Sequence, residues 1–558
     1  LYSSAGDLLG TSDTATSPEG VVYQPTGGVP AGTYQVEVCP YDDPAAPPTA
    51  PYSYSGTFTT DDTTVPSVGA TPTPSPVATP TPGPAPIAPR YHEYAPPAPM
   101  GENSGEPSIR FNPTTKRAMY IAGLQTLQIT FPDRILPLGS VPDAGPAEWK
   151  DVSFATTKVR SLDPILFTDQ RTGRTFVSQL NSISAGTLIG ANSLMAYTDD
   201  DGTNWTPAQL NLPDGSNDHQ TVGAGPYPSS LSGLRNDLNK GSAVYYCGQM
   251  GNVLVASSVA VCSRSDDGGL NFGKSIPVYP GAPVPGGCSQ LIHGHVKVAP
   301  DGTVYLPNAQ CGGKQAVAVS TDAGTTWTVR QIPNTFTPSG ILDPSVAISN
   351  DPPVAPATSN TIYVGFTGRP TASSADNHAY VAVSKDRGLT WSAPYDLGAS
   401  VGVQNAVFAQ AVAGDANRAA VAFLGTTTSG NHQDAGFKGT WYGFVAHTYD
   451  GGLTWTTVNA TPNGPVQREA CIWNGGGNNP CRNLLDFNDI TMDDKGRVLF
   501  AYADGCIDQC EKGGANSYSS KATVARQSGG KGLLAVYDTP EPALPQRPYL
   551  KGFRDDMA

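Results

Sequence analysis

Ala316-Val-Ala-Val-Ser-Thr-Asp-Ala-Gly-Thr-Thr-Trp327 is a short apolar strand that runs into a polar turn and ends on an aromatic ring. The turn recurs. The pattern Ser/Thr-x-Asp-x-Gly-x-x-Trp/Phe is found again at Thr198–Trp205, Ser265–Phe272, Ser384–Trp391 and Thr448–Trp455. Each copy follows a strand-like run, as in Tyr380-Val-Ala-Val383. Five copies at nearly regular spacing are the signature of a repeat architecture. The residue types have a physical job: the aspartate accepts backbone N–H bonds across the hairpin, as in an Asx turn. The glycine permits positive φ, and the aromatic ring fills the gap against a neighbouring strand. A structural role in the turn is therefore expected for these aspartates. The runs Asp199-Asp-Asp201 and Asp266-Asp267 lack the ligand spacing of a twelve-residue calcium loop.

These five segments resemble the Asp box, or BNR repeat, of the sialidase-like propeller superfamily. The resemblance implies an all-β fold of radial four-stranded blades, with the box between the third and fourth strands on the face away from the active site. An innermost strand is then expected well before each box, and seven candidate segments line up. They begin at Glu106, Asp163, Asp218, His293, Asp343, Phe408 and Phe487, and each is followed by a second strand such as Ala118–Ala122 or Thr361–Phe366. The expected fold is a seven-bladed β-propeller whose first and last blades have lost the box. Sialidases have six blades, so the count departs from the family.

Strand side chains alternate, so positions one, three and five of each segment share a face. Position four reads Ile109, Leu166, Thr221, Val296, Val346, Ala411 and Ile490, mostly apolar, and belongs between blades. Position one reads Glu106, Asp163, Asp218, His293, Asp343, Phe408 and Phe487. Position three reads Ser108, Ile165, Gln220, His295, Ser345, Gln410 and Asp489. These polar columns are expected to line the channel and to gather Glu106, Asp163, Asp218, His219, His295, Asp343 and Asp489 at one mouth as candidate catalytic residues. Crowded carboxylates repel one another, which shifts pKa values in the way active sites use. Asp-Pro and Glu-Pro at a strand start also serve as plain turn chemistry.

Glycoside hydrolysis needs two carboxyl groups flanking the scissile bond, and this ring supplies them. Sialidases instead hold their substrate's carboxylate with three arginines. Arg110 lies near the family's first-blade arginine and Arg482 precedes the last inner strand, but no convincing triad assembles from them with Arg171, Arg174 or Arg468. Arg110, His293, Gln410 and Arg482 stand as candidate substrate-binding residues, and Arg171 and Arg174 read as solvated turns. Two alternatives stay open: a polysaccharide lyase with His219 or His295 as base, and a non-catalytic glycan- or protein-binding propeller. No cofactor is required. A cation in the channel, calcium by ligand type, would fall to Asp163, Asp218 and Asp343.

The rest of the chain frames this reading. Of 558 residues, 62 are glycine and 52 proline, as suits many short strands and tight turns. A net charge of −14 argues against a nucleic-acid partner, and the Asp-box resemblance implies a glycan or glycoprotein instead. No stretch approaches the roughly 18 consecutive apolar residues of a membrane helix. Eight of nine cysteines fall in close pairs without metal spacing: Cys247 with Cys262, Cys288 with Cys311, Cys471 with Cys481, Cys506 with Cys510. Disulfides and an extracellular or cell-surface location of a bacterial protein are expected. Cys39 is left over, and the chain starts at Leu1, so upstream processing or truncation is expected.

Residues 1–62 read as strands and turns. The run Ala31-Gly-Thr-Tyr-Gln-Val-Glu-Val-Cys39 resembles a late strand of a bacterial pre-peptidase C-terminal-type β-sandwich, present here in part. Residues 63–98, with Thr71-Pro-Thr-Pro-Ser-Pro76 and Thr79-Pro-Thr-Pro-Gly-Pro84, read as an extended spacer. The propeller is placed at 99–545 and a tail at 546–558.

Overall fold

The computed structural model describes residues 88–132, 145–154, 161–181, 192–208, 218–234, 241–250, 259–279, 287–288, 293–337, 343–350 and 361–538. The expected sandwich fragment, Cys39 and the tail lie outside them. The described chain forms seven antiparallel sheets arranged as a propeller. Blade one is Ser108–Asn112, Arg117–Ala122, Gln125–Thr130 and Glu148–Asp151, and blade two is Ser161–Thr168, Thr175–Asn181, Asn192–Thr198 and Thr206–Pro207. Blade three is Asp218–Pro226, Ser242–Met250, Val259–Ser265 and Ile276–Pro277, and blade four is Lys297–Val298, Val304–Cys311, Lys314–Ser320 and Thr328–Gln331. Blade five is Ser345–Ile348, Ile362–Gly368, His378–Ser384 and Tyr395–Asp396. Blade six is Asn405–Ala413, Ala419–Thr426, Gly439–Thr448 and Thr456–Asn459, with Gln467–Ala470 added beside its third strand.

Blade seven takes three strands from the C-terminal part, Asp489–Met492, Val498–Asp504 and Lys521–Gly529. Its outer strand is Arg90–Tyr94, from the other end of the chain. The stretch read as spacer therefore gives its last residues to the propeller. The same pairing explains why blade seven lacks the repeat turn: its third and fourth strands are not consecutive, so no hairpin joins them. Pairing residues from the two ends of the chain in one blade closes the ring.

In blades two to six the repeat turn joins the third and fourth strands. Its bonding is the same each time. In blade four, Ser320 Oγ donates to Asp322 Oδ1 (2.8 Å) and accepts the Gly324 N–H (2.9 Å), while Asp322 accepts the Thr326 N–H (2.9 Å) and hydroxyl (2.7 Å). Desolvation would raise this carboxyl, but the bonds from Thr326 and Ser320 hold it below the usual aspartate range. Gly324 sits at φ +79°, as the turn requires.

Apolar residues fill the spaces between blades. Position-four residues Ile109, Leu166, Val296 and Val346 are fully buried, and one cluster joins Ile109, Tyr120 and Leu127 of blade one to Leu499, Ala501 and Val524 of blade seven. Arg171 and Arg174 are not solvated turns. Arg171 donates to Gly241 O and Ser242 Oγ, and Arg174 binds Asp199 and Gly268 O while stacking on Tyr197, so both tie blade two to blade three. All four expected cysteine pairs are bonded: Cys247–Cys262, Cys288–Cys311, Cys471–Cys481 and Cys506–Cys510.

Replacing Asp322 by alanine strips three hydrogen bonds from one repeat turn. A stability loss of about 1–3 kcal/mol is expected, read by urea denaturation with an unchanged m-value. A variant as stable as the parent would show that the turn bonds are dispensable.

Candidate functional site at the channel mouth

Strand direction fixes which end is which. An inner strand starts at one face, the second strand returns to it, and the third ends at the opposite face. The repeat turns therefore lie opposite the starts of the inner strands, where the candidate residues sit.

The inner strands are locked to one another by a recurring bond from a position-three side chain to the position-four N–H of the next strand. Ser108 Oγ accepts from Leu166 (3.0 Å), Thr221 Oγ1 from Val296 (3.2 Å), Ser345 Oγ from Ala411 (3.1 Å) and Asp489 Oδ2 from Ile109 (3.0 Å). This pattern corrects the register of blade three by one residue. Thr221, the polar exception in the position-four column, belongs to position three. Val222, 1% exposed, takes the apolar place. His219 then occupies position one instead of Asp218, and Gln220 occupies position two. In this register His219 falls in line with Asp163 and Phe408, each of which opens a β-bulge. Pairing slips between Leu162 and Ile165, between Asp218 and Thr221, and between Val407 and Gln410. The first extra residue of each is left-handed: Asp163 at φ +46°, His219 at +49° and Phe408 at +61°. Glu106, at position one of blade one, has φ +55°. Such conformations are costly for non-glycine residues and concentrate at functional sites, where a bulge re-aims a side chain.

These side chains converge. Glu106 is 1% exposed; its Oε2 accepts the Asp163 N–H (3.0 Å), and its Oε1 finds no hydrogen-bond partner among the described residues. Arg482 Nη2 stands 3.9 Å from that oxygen but is committed to Asp486, which it grips through Nε and Nη2. His219 Nδ1 lies 3.4 Å from Asp343 Oδ1, and the His219 and His293 rings are 6.5 Å apart. His293 is buried with Nδ1 against Gly294 O (3.0 Å). Gly294 is obligatory there: a Cβ would fall 1.7 Å from Pro344 O of the next inner strand. Gln410 donates to Asp343 O (3.3 Å). Gln410 thus positions backbone; the Arg482 side chain is 17% exposed and that of His219 9%, while the Asp343 side chain is only 4% exposed.

Burial, reinforced by the Asp486 carboxylate, pushes Glu106 up to about 8 against the pull of Arg482. Burial also raises Asp486, but the guanidinium bonded to it favours its ionised form. Of the two, Glu106 is the one that keeps its proton near neutral pH.

Three residues expected at the mouth lie deeper. Asp489, at position three of blade seven, accepts from Ser108 Oγ (2.6 Å), Ile109 N–H and Arg110 Nη1 (2.6 Å) on one oxygen and from Ile490 N–H (2.8 Å) on the other. Desolvation opposes its charge, but Arg110 and its other partners hold it below the usual range. Arg110 is therefore a partner of Asp489 and not a ligand at the mouth. His295 packs edge-on against Phe487 at 5.3 Å, and desolvation drives it down to about 4. Phe487 belongs to blade seven and His295 to blade four, so this contact spans the channel.

The sequence columns miss Asp486, which precedes the last inner strand and belongs to none of them. Its spacing from Arg482, four residues in the same connection, is the available signal. The side chain of Asp218 is not among those described, and among the described residues no group of three His, Cys, Asp or Glu side chains is arranged to hold a metal ion.

No protein-family model matches the sequence. No curated protein matches it either. Among solved structures, a GH74 enzyme from Niastella koreensis aligns with TM-score 0.40 and 16% identity over 75% of this chain and 54% of that one. A single-site mutant of NanB sialidase from Streptococcus pneumoniae aligns with TM-score 0.35 and 10% identity over 74% and 82%. Aleuria aurantia lectin in complex with α-methyl-L-fucoside aligns with TM-score 0.36 and 12% identity over 64% and 96%. At TM-scores this low, none of the three bears on the chemistry of the mouth.

A carboxyl raised on folding makes the native state bind a proton that the unfolded chain has lost above its ordinary pKa near 4.5. Native stability should therefore fall between about pH 4.5 and 8 and level off above. Glu106→Gln removes this slope, so its melting temperature should gain on the parent's as pH rises through that window. Parallel curves for the two proteins from pH 4 to 9 would remove the raised pKa.

Proposed function

We propose that this chain is a secreted, glycan-acting propeller of the Asp-box type, and that its channel mouth is a glycoside hydrolase site with Glu106 as general acid. One observation carries the reading: Glu106 is a buried carboxyl, protonated near neutral pH, with one oxygen fixed by the Asp163 N–H and the other unbonded. A proton donor to a glycosidic oxygen needs that combination of pKa and free oxygen. Asp343, beside His219, is the second carboxyl that the reaction requires. It attacks the anomeric carbon or takes a proton from the attacking water as the glycosidic bond breaks. Arg482 and Asp163 position Glu106, and Arg482 also offers a cation to an acidic sugar. Four disulfides among the described residues support an oxidising, extracellular setting.

The His219–Asp343 pair also favours a second reading, a polysaccharide lyase in which His219 removes the proton beside a uronate carboxylate.

A glycan-release screen that includes sialosides and uronic-acid polymers tests both. Hydrolysis should produce a new reducing end without an unsaturated sugar. Glu106→Gln should lower kcat by about 100-fold or more, on the order of a lost general acid, and Asp343→Asn comparably, neither with a loss of melting temperature. Unsaturated products that depend on His219 and survive Glu106→Gln would replace hydrolysis with lyase chemistry. Inertness on every substrate, with glycans still bound, would make the propeller a binding module.

A further inference from the structure

Below the Phe487–His295 contact, position five of the inner strands sets a second level, about 13 Å from position one at the usual strand rise. With blade three in its corrected register, this level reads Arg110, Phe167, Gly223, Lys297, Ala347, Val412 and Thr491. Two of the seven are cations and none is an anion. The nearest negative charge is Asp489, at position three, whose two oxygens already accept four hydrogen bonds from Ser108, Ile109, Arg110 and Ile490.

The two cations are under-used. Arg110 commits only Nη1, to Asp489 and to Ile109 O. Among the described residues its Nε and Nη2 meet no acceptor. Lys297 Nζ has no hydrogen bond or ion pair there either. It belongs to blade four, yet the charges that act on it are Arg110 and Asp489 of blades one and seven, across the channel. Part of its surface stays open. The level carries a net charge of +1 with Lys297 protonated and Asp489 counted, and the Lys297 and Arg110 charges act on each other across the channel. Cationic donors without acceptors, at a level whose other residues include the apolar Phe167, Ala347 and Val412, form a binding place for a small anion.

We propose that the lower channel binds a small oxyanion, held between the Lys297 ammonium and the free Nε and Nη2 donors of Arg110. The site is separate from the mouth and does not depend on the reading of Glu106. Its ligands share one chemistry, a compact group with several anionic oxygens, which a sulfate, a phosphate or a carboxylate supplies.

Binding should depend on pH with a predictable sign. Desolvation, reinforced by Arg110 and opposed by Asp489, lowers Lys297 to about 7. The other groups that face it do not change charge from about pH 6 to 8: Asp489 is held low, His295 has already lost its proton, and Arg110 keeps its charge. Only the ammonium form attracts the anion, so affinity follows its population. That population falls about tenfold between pH 6 and 8 for a group titrating near 7.

The test is calorimetric titration of the whole protein with sodium sulfate, whose charge is constant over this range, against sodium chloride at matched ionic strength. Saturable one-site binding at pH 6, weakened about tenfold at pH 8, is the expected result. Lys297→Met should abolish it and Lys297→Arg should keep it while removing the pH dependence. If Lys297→Met does not fold, the pH series on the parent and Lys297→Arg still decides. Titrations with phosphate and acetate separate tetrahedral from planar ligands. No saturable sulfate binding at pH 6, equal binding at both pH values in the parent, or full binding by Lys297→Met would each overturn the proposal.

Discussion

The side-chain bond from position three of one inner strand to the position-four N–H of the next is the constraint on which this propeller rests. Blades are stable as sheets through their own ladders, but ladders run within a blade and say nothing about how blades meet. Ser108, Thr221, Ser345 and Asp489 supply that information at four of the seven junctions. Each satisfies a buried N–H that faces the channel wall, where an unpaired donor would be costly. Together they set the axial height of neighbouring strands. Position one therefore comes to a common rim, and the candidate acid, base and cations meet there.

The same constraint explains why Asp489 is held ionised while Glu106 is pushed toward its protonated form. Both are buried carboxyls on inner strands. Asp489 accepts from four donors, one of them the Arg110 guanidinium, so its charge is stabilised and used to fix blade seven against blade one. Glu106 receives one backbone N–H and shares its nearest guanidinium with Asp486. Its burial is not matched by donors, and its proton stays. Two residues of similar burial thus differ in charge state because the inventory of donors around them differs.

Much of the fold is legible in the sequence. The serine or threonine, aspartate and glycine of each repeat turn carry their own hydrogen-bonding instructions within a few residues, so five turns can be read without any tertiary contact. The seven inner strands follow from the turns by spacing, and the cysteine pairs from proximity in sequence. The end of the spacer is not legible as propeller, because Arg90–Tyr94 pairs with Lys521–Gly529 near the far end of the chain and no local pattern marks such a partner. The register of blade three is hidden because Asp218 opens its inner strand with the same residue type as Asp163 and Asp343, one residue before the position that matches them, and only the bond from Thr221 to Val296 of the next blade fixes the count. Thr221 in an otherwise apolar column is the trace this offset leaves.

By itself, the sequence determined the repeat, the number of blades, the polarity of the inner columns and the candidate carboxylates Glu106, Asp163 and Asp343. Those follow from residue type and short spacing, which act within a turn or a strand. Tertiary structure alone decided which of the polar residues meet. It placed His219 beside Asp343 from blades three and five, Arg482 between Asp486 and Glu106, and Phe487 across the channel against His295. It also set Arg110 and Lys297 on a level of their own. Charge state and function in this channel depend on neighbours contributed by other blades, and only closing the ring brings those neighbours together.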